Sequence, residues 1–191
     1  MNCAEVCIHA SNWYNYKTKC WGPLPENLSV IEGDLVKPEK WCPPNSHAII
    51  VQQNNCRATR YHGLSQTIFT KYPWANIYEE RRVNKVEGIP GNVMFRTKDN
   101  VTIANSLGQY YPNISKYPND TYAMREQWFQ KCLNSLVSHV VDKMDKEIPK
   151  VIAFPWNIAS SLAGGNFDHY LAMIVEFAER IPNEKILIIT L

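Results

Sequence analysis

The sequence predicts an α/β fold of three layers, in which a mixed, mostly parallel β-sheet lies between two layers of helices. Short apolar runs typical of buried strands alternate along the chain with segments whose apolar residues recur every three or four positions. A hairpin-like connection at residues 97–100 joins one neighbouring pair of strands, so an antiparallel pair is expected at one place in the sheet.

The predicted elements follow one another in simple order. Strands are predicted at residues 28–31, 48–51, 92–95, 101–104, 151–154 and 184–191. Helices are predicted at residues 64–72, 74–82, 121–144 and 167–181. The apolar stripe of the third helix, which includes Arg125 and Phe129, is expected to face the core.

Length and composition indicate one globular domain. The chain has 191 residues, of which 45% are hydrophobic, which suffices for one sizeable core and is too short for two ordinary domains. Residues 1–27 show no clear period and are predicted to be an N-terminal extension, packed on or loosely attached to a domain at residues 28–191. We expect a monomer.

Charge and hydropathy exclude several classes of protein. A net charge of +2 gives no basic surplus of the kind that marks a nucleic-acid binder. No apolar run approaches the length that spans a membrane, and residues 1–10 lack the apolar block of a secretion signal. The expected location is intracellular, in the cytoplasm or the nucleus.

The cysteines indicate free thiols rather than a disulfide framework. Six cysteines are spread thinly and form no CxxC pair. A zinc site could use Cys3, Cys7, His9 and Cys20, but their spacing fits no common zinc finger. We therefore expect neither a metal nor an organic cofactor.

The segment between the strand at 151–154 and the following helix is the most distinctive loop. Small residues at 159–161 and 163–165 let the backbone approach a ligand and direct several N–H groups at it. The loop leads into the positive end of a helix, a place that suits a pyrophosphate. The alternative is a tight connection that uses small residues only for packing.

Other polar segments also follow predicted strands, where open α/β sheets bind ligands. Asp34 comes just after the first strand and either contacts a ligand or caps a turn. Residues 52–63 follow the second strand and are either part of the site or an ordinary solvated loop. Residues 105–113 form a third polar and aromatic loop.

Four motifs carry a resemblance to a known family. They are Glu-Gly-Asp-Leu at 32–35, Asn-Cys at 55–56 with a glycine before a helix, Ile-Ala-Asn-Ser-Leu-Gly-Gln at 103–109 and Pro-Trp-Asn-Ile-Ala-Ser-Ser-Leu-Ala-Gly-Gly-Asn-Phe at 155–167. In this order, over residues 28–191, they resemble the macro domain family. The branch they resemble most comprises ADP-ribose 1″-phosphate phosphatases and terminal ADP-ribose protein glycohydrolases.

The resemblance implies a ligand and its binding residues. The ligand would be ADP-ribose or a related small nucleotide, free or carried by an ADP-ribosylated protein. By this likeness Asp34, with Leu35 beside it, would bind adenine. The distal ribose would be bound by Asn54, Asn55, Cys56 and Gly63, and the diphosphate by Ile158, Ala159, Ser160, Ser161 and Leu162.

The chain also departs from the family pattern. Tyr61 replaces the first glycine of the usual ribose loop, so it is expected to narrow or reshape that pocket. Ala159 and Ser161 stand in a loop where relatives carry glycines, which would strain any position that needs positive φ. Ala163 occupies the position of the glycohydrolase catalytic acid, and no lysine stands near residues 106–108.

Three functions are therefore expected, in this order. The first is binding with hydrolysis of an ADP-ribose derivative, either a phosphate monoester or a link to protein. The second is a non-catalytic reader of ADP-ribose, and the third is an interaction protein whose pocket is closed by Tyr61. Candidate catalytic residues are His62, as a general base, and Asp168, with His169 as a further candidate. The alternatives are a solvated loop histidine and an acidic first-turn helix residue.

Overall fold

A computed structural model describes residues 8–9, 12–15 and 17–190. In this part of the chain, three short strands form a small antiparallel sheet: β1 (Ile8–His9), β2 (Asn12–Asn15) and β3 (Cys20–Pro23). Six further strands form the main sheet: β4 (Leu28–Glu32), β5 (His47–Asn55), β6 (Val93–Lys98), β7 (Val101–Gln109), β8 (Lys150–Pro155) and β9 (Lys185–Thr190).

The main sheet is mixed and mostly parallel, as predicted. Its strand order is β4-β9-β8-β5-β7-β6. Every neighbouring pair is parallel except β6 and β7, which are antiparallel and joined by a tight turn. Since the five parallel strands all end at the same edge of the sheet, the loops that follow them lie close together.

Among the described residues, four α-helices cover the sheet: α1 (Leu64–Lys71), α2 (Ile77–Asn84), α3 (Tyr122–Ser138) and α4 (Phe167–Arg180). The last three begin where the side chains of Asn76, Thr121 and Asn166 accept hydrogen bonds from first-turn amides. The predicted helix at 121–144 is divided, because α3 ends at Ser138 and a π-helical turn follows at His139–Lys143. None of the helices described is long and apolar enough to cross a membrane.

Two hydrophobic cores lie on opposite faces of the main sheet. On one face α3 and α4 pack against the strands through residues such as Phe129 and Ile174. On the other face α1 and α2 pack through residues such as Phe69 and Ile77. The molecule therefore has the predicted α/β/α layers.

Part of the N-terminal extension packs on the domain. Trp13 of β2 is 7% exposed and belongs to the core beneath α3 and α4. Lys17 forms an ion pair with Glu176 of α4 at 2.7 Å. The small sheet thus packs against α4.

Candidate ligand-binding site

A cleft of about 610 Å³ lies at the carboxyl ends of the parallel strands. Its walls are the segments that follow β4, β5, β7 and β8, together with the last residues of β9. This is the location at which open α/β sheets bind ligands.

One end of the cleft contains Asp34, just after β4. Its carboxylate accepts a hydrogen bond from the Val36 amide at 3.1 Å and forms an ion pair with Lys37 at 3.0 Å. The Lys37 ammonium, followed by the Val36 amide, lowers the pKa of Asp34 below its ordinary value. The carboxylate is therefore ionised at neutral pH, with the buried side chain of Leu35 beside it.

Two side-chain amide pairs extend β5 and β7 into the floor of the cleft. The Gln52 amide donates to the Asn105 side chain at 2.8 Å, and the Gln53 amide donates to Gln109 at 2.9 Å. Residues 52–55 and 105–109, which the sequence indicated as loops, are therefore strand residues. These cross-strand hydrogen bonds pair the side-chain NH2 groups of Gln52 and Gln53, so the strands continue past the apolar residues, while Oε1 of each glutamine has no partner among the described residues.

The segment after β5 forms the second wall. The Asn55 side-chain oxygen accepts hydrogen bonds from the Arg57 and Ala58 amides at 3.1 and 2.6 Å. The amide nitrogens of Asn54 and Asn55 each donate to the Tyr78 hydroxyl at 3.2 Å. The Asn55 side chain therefore shapes its own loop, while the Tyr78 side chain supports the wall from α2.

Further along this wall, Gly63 precedes α1 with a φ of 56°, a conformation that favours glycine. A Cβ at this position would lie 3.1 Å from the Leu162 side chain, so the two walls come into contact here. The Tyr61 ring packs edge-on against Phe69, with the ring centroids 5.9 Å apart, and does not line the cleft.

The loop between β8 and α4 forms the third wall. Some of its main-chain amides donate to nearby carbonyl groups, and others have no acceptor. The Ile158 amide donates to the Pro155 carbonyl at the end of β8, and the amides of Ser160, Gly164 and Gly165 donate to carbonyl groups within the loop. Five other amides have no acceptor among the described residues, and all five residues line the cleft: Asn157, Ala159, Ser161, Leu162 and Ala163. A run of cleft-lining residues whose amides have no acceptor is suited to an anion.

The backbone of this loop adopts two left-handed conformations at non-glycine residues. Asn157 has a φ of 58° and Ala159 a φ of 63°. Asparagine tolerates this region, whereas an alanine there is strained by roughly 1–2 kcal/mol. The Ala159 carbonyl accepts a hydrogen bond from the Gly165 amide at 3.0 Å, which holds the strained turn closed.

A buried arginine joins the loops from below. The Arg125 guanidinium donates to the carbonyl groups of Asn113 and Ala163 at 2.7 and 3.1 Å. Asn113 follows β7 and Ala163 follows β8, and both residues line the cleft. Arg125 therefore fixes two walls relative to α3.

Most of the residues predicted for the site lie together. Those that line the cleft are Asp34, Leu35, Asn55, His62, Gly63, Ile158, Ala159, Ser161 and Leu162. Asn54 and Cys56 are buried behind the wall, and burial raises the pKa of Cys56 to about 12. The Ser160 hydroxyl donates to the Asn157 carbonyl at 2.9 Å, and Asp168 lies in the first turn of α4, outside the cleft lining.

Several lining residues were not among the named site candidates. Arg60, Gln109, Asn113 and Trp156 lie in segments that the sequence indicated, whereas Tyr78 lies in none of them. Tyr78 comes from a helix rather than a strand end, so strand-end reasoning does not find it. No group of three histidine, cysteine, aspartate or glutamate side chains suited to a metal occurs in the described residues. Of the zinc ligands considered, Cys3 and Cys7 lie outside that part of the chain.

Sequence comparisons find no relative. No protein-family model matches the chain. No curated protein matches it either.

Solved structures share the fold. A protein of unknown function from Bacteroides thetaiotaomicron has a TM-score of 0.67 at 19% identity, over 86% of this chain and 98% of that chain. The macrodomain of Mycobacterium tuberculosis DarG has a TM-score of 0.61 at 17% identity, over 85% and 96%. A mutant Oceanobacillus iheyensis macrodomain with ADPR has a TM-score of 0.57 at 15% identity, over 87% of each chain. At these identities the likeness concerns the fold alone: the chain has the α/β/α fold of the macrodomains.

Proposed function

We propose that the cleft binds ADP-ribose or an ADP-ribose derivative. The observation that carries the proposal is that five residues of one loop, 157, 159 and 161–163, line the cleft and have amides without an acceptor among the described residues. A diphosphate placed there would accept hydrogen bonds that the loop does not make with itself. A macrodomain with ADPR among the structures of the same fold supports the choice of ligand.

The polar groups at the two ends of the cleft suggest the orientation of the ligand. The ionised Asp34 carboxylate would accept a hydrogen bond from the adenine amino group. The distal ribose would then lie near Asn55 and Gly63. Because the Asn55 side chain is already bonded within its loop, we expect main-chain groups of residues 60–63 to bind that ribose.

Isothermal titration calorimetry tests this proposal. ADP-ribose is titrated into the protein, with AMP and ribose 5-phosphate as ligands that each supply part of the molecule. We expect micromolar affinity for ADP-ribose and at least tenfold weaker binding of either fragment. Asp34→Ala should lower the affinity for ADP-ribose and for AMP alike and leave the affinity for ribose 5-phosphate unchanged. Absence of heat and of a thermal shift at millimolar ADP-ribose would overturn the proposal.

Hydrolysis of the bound ligand is the second candidate function, and it is favoured by the position of His62. His62 lines the cleft at the end proposed for the distal ribose, where it could act as a general base toward water. Among the described residues that line the cleft, only Asp34 carries a carboxylate, and it lies at the opposite end. With His62 as the base, dephosphorylation of ADP-ribose 1″-phosphate is the first reaction to test, and cleavage of a link to protein is the second.

Turnover assays separate catalysis from binding. Phosphate release from ADP-ribose 1″-phosphate and ADP-ribose release from an ADP-ribosylated protein are measured with wild type, His62→Asn and Asp168→Asn. Loss of phosphate release in His62→Asn alone, with binding retained, would support hydrolysis. Tight binding without turnover of either substrate would leave a reader of ADP-ribose. The position of Tyr61 against Phe69 argues against the closed-pocket alternative.

A further inference from the structure

Arg81 of α2 lies directly behind one wall of the cleft. Its side chain is buried, with the residue 6% exposed. The guanidinium lies over the Tyr78 ring, 4.9 Å from the ring centroid, and donates to the Ala58 carbonyl at 3.2 Å. Both Tyr78 and Ala58 line the cleft, so Arg81 is separated from a ligand by a single layer of residues.

This buried cation lacks a carboxylate partner in the described part of the chain. Nε and Nη2 of Arg81 have no hydrogen-bond acceptor there. Nearby acids are already engaged, since Glu80 pairs with Arg96 at 2.5 Å and Glu87 pairs with Arg57 at 2.8 Å. A buried charge without a partner destabilises a protein, and buried charges are accordingly paired in most structures.

The charges that line the cleft do not compensate Arg81 either. The charged or basic residues among them are Asp34, Arg60 and His62. Asp34 is at the far end and is paired with Lys37, whereas Arg60 and His62 belong to the same wall as Ala58. This wall is therefore electropositive, and the cation behind it is screened least by solvent.

We propose that Arg81 is an electrostatic positioning residue whose counter-ion is the anionic group of the bound ligand. It acts through the wall formed by Ala58 and Tyr78 and does not touch the ligand. This inference rests on the proposed function and deepens it, because it requires the ligand to be anionic and assigns part of the affinity to a residue outside the cleft.

The proposal predicts opposite effects on stability and on affinity. Arg81→Met keeps most of the side-chain volume and removes the unpaired charge, so the unliganded protein should be as stable as wild type or more stable. The same change should weaken ADP-ribose binding about tenfold, which is the order of effect expected of one buried unit charge on a nearby anion. Arg81→Lys keeps the charge and should remain within about threefold of wild type.

Lys150→Met is the matched control. Lys150 is also a buried cation, 2% exposed, but it pairs with Glu184 at 3.4 Å and lies at the amino end of β8, opposite the cleft. Its loss leaves Glu184 without that partner, so stability should fall while the affinity for ADP-ribose stays unchanged.

The experiment measures thermal unfolding of each variant and its dissociation constants for ADP-ribose, adenosine and pyrophosphate. The expected result is that Arg81→Met lowers the affinity for both anions, leaves the affinity for neutral adenosine unchanged and does not lower the melting temperature. A parallel loss of stability and affinity, or an unchanged affinity for the anions, would overturn the inference.

The pyrophosphate measurement separates this inference from the proposed function. If wild type fails to bind ADP-ribose but binds pyrophosphate more tightly than Arg81→Met does, the proposed function is wrong and the role of Arg81 stands for another anionic ligand. If wild type binds neither anion, both are wrong.

Discussion

The guanidinium of Arg125 and the carboxylate of Asp120 form a fully buried ion pair beneath the cleft. The two groups lie 2.6 Å apart, and their side chains are 1% and 0% exposed. The Asp120 carboxylate also accepts a hydrogen bond from the Tyr111 amide at 3.0 Å, which fixes the start of the segment after β7. The pair therefore connects α3 to two of the loops that form the cleft.

Arg125→Met should destabilise the protein strongly, because it leaves the Asp120 carboxylate buried without its counter-charge. The expected loss in free energy of unfolding is about 3–5 kcal/mol, measured by urea denaturation. Arg82→Met removes the exposed pair of Arg82 with Glu79 and should cost less than about 1 kcal/mol. Similar losses for both variants would show that burial of the Arg125 pair is unimportant.

Ala159→Gly should stabilise the protein, because glycine adopts a φ of 63° without the strain that a Cβ causes. Strain relief outweighs the greater freedom of glycine in the unfolded chain, for a net gain of about 0.5–1 kcal/mol. Ala163→Gly is the control, since Ala163 has no positive φ and should lose about 0.5–1 kcal/mol. Equal losses at both positions in thermal unfolding would contradict the prediction.

Two histidines at the opposite end of the sheet should make stability depend on pH. Burial, then neighbouring positive charge, lowers the pKa of His47 and of His139 from the ordinary 6.5. As the pH falls through 6.5, the unfolded chain therefore binds more protons at these histidines than the folded chain does. The stability associated with their neutral forms is fully present above about pH 7 and is lost progressively below it. Each histidine can add a slope of at most about 1.4 kcal/mol per pH unit.

Urea denaturation between about pH 5 and 8 measures this slope. His47→Gln keeps a polar group near the Thr102 hydroxyl, 2.8 Å from the His47 ring, and His139→Phe keeps a ring stacked on Phe95. The double variant should have a flatter profile than wild type. An unchanged slope would mean that other groups account for it.

Cysteine reactivity should follow burial. Burial raises the pKa of Cys56 and of Cys132 to about 12 and also raises the pKa of buried Cys42, so these thiols should resist alkylation in the native protein. Cys20 is exposed and should react with iodoacetamide. Peptide mapping by mass spectrometry checks the pattern, and denaturant should make all four react. Native modification of Cys56 at the Cys20 rate would contradict the described packing.

The layers and the sheet were predictable because they depend on local patterns. Apolar runs indicated the strand at residues 151–154, and the structure has β8 at Lys150–Pro155. The small residues after it indicated the loop whose amides now line the cleft. The apolar stripe around Phe129 likewise indicated α3.

Features that depend on distant partners were not predictable. Gln52 and Asn105 lie 53 positions apart, and cross-strand hydrogen bonds such as theirs accompany β5 and β7 through polar residues. Arg81 looks like any charged residue on a short helix, because its burial depends on the packing of the loop after β5. Tyr61 was expected near the ribose pocket, but contact with Phe69 directs its ring elsewhere.

The position of β9 has a consequence for the order of folding during synthesis. β9 lies between β4 and β8, and it is the strand with which β4 pairs in the main sheet. On a ribosome, β4 therefore emerges about 160 residues before its partner, as the interval from Leu28 to Ile186 shows. Until then its hydrogen-bonding groups and the apolar face beside it stay uncovered, so the nascent chain should bind chaperones through residues 28–32. The cleft, which needs the ends of both strands, is completed in the same late step.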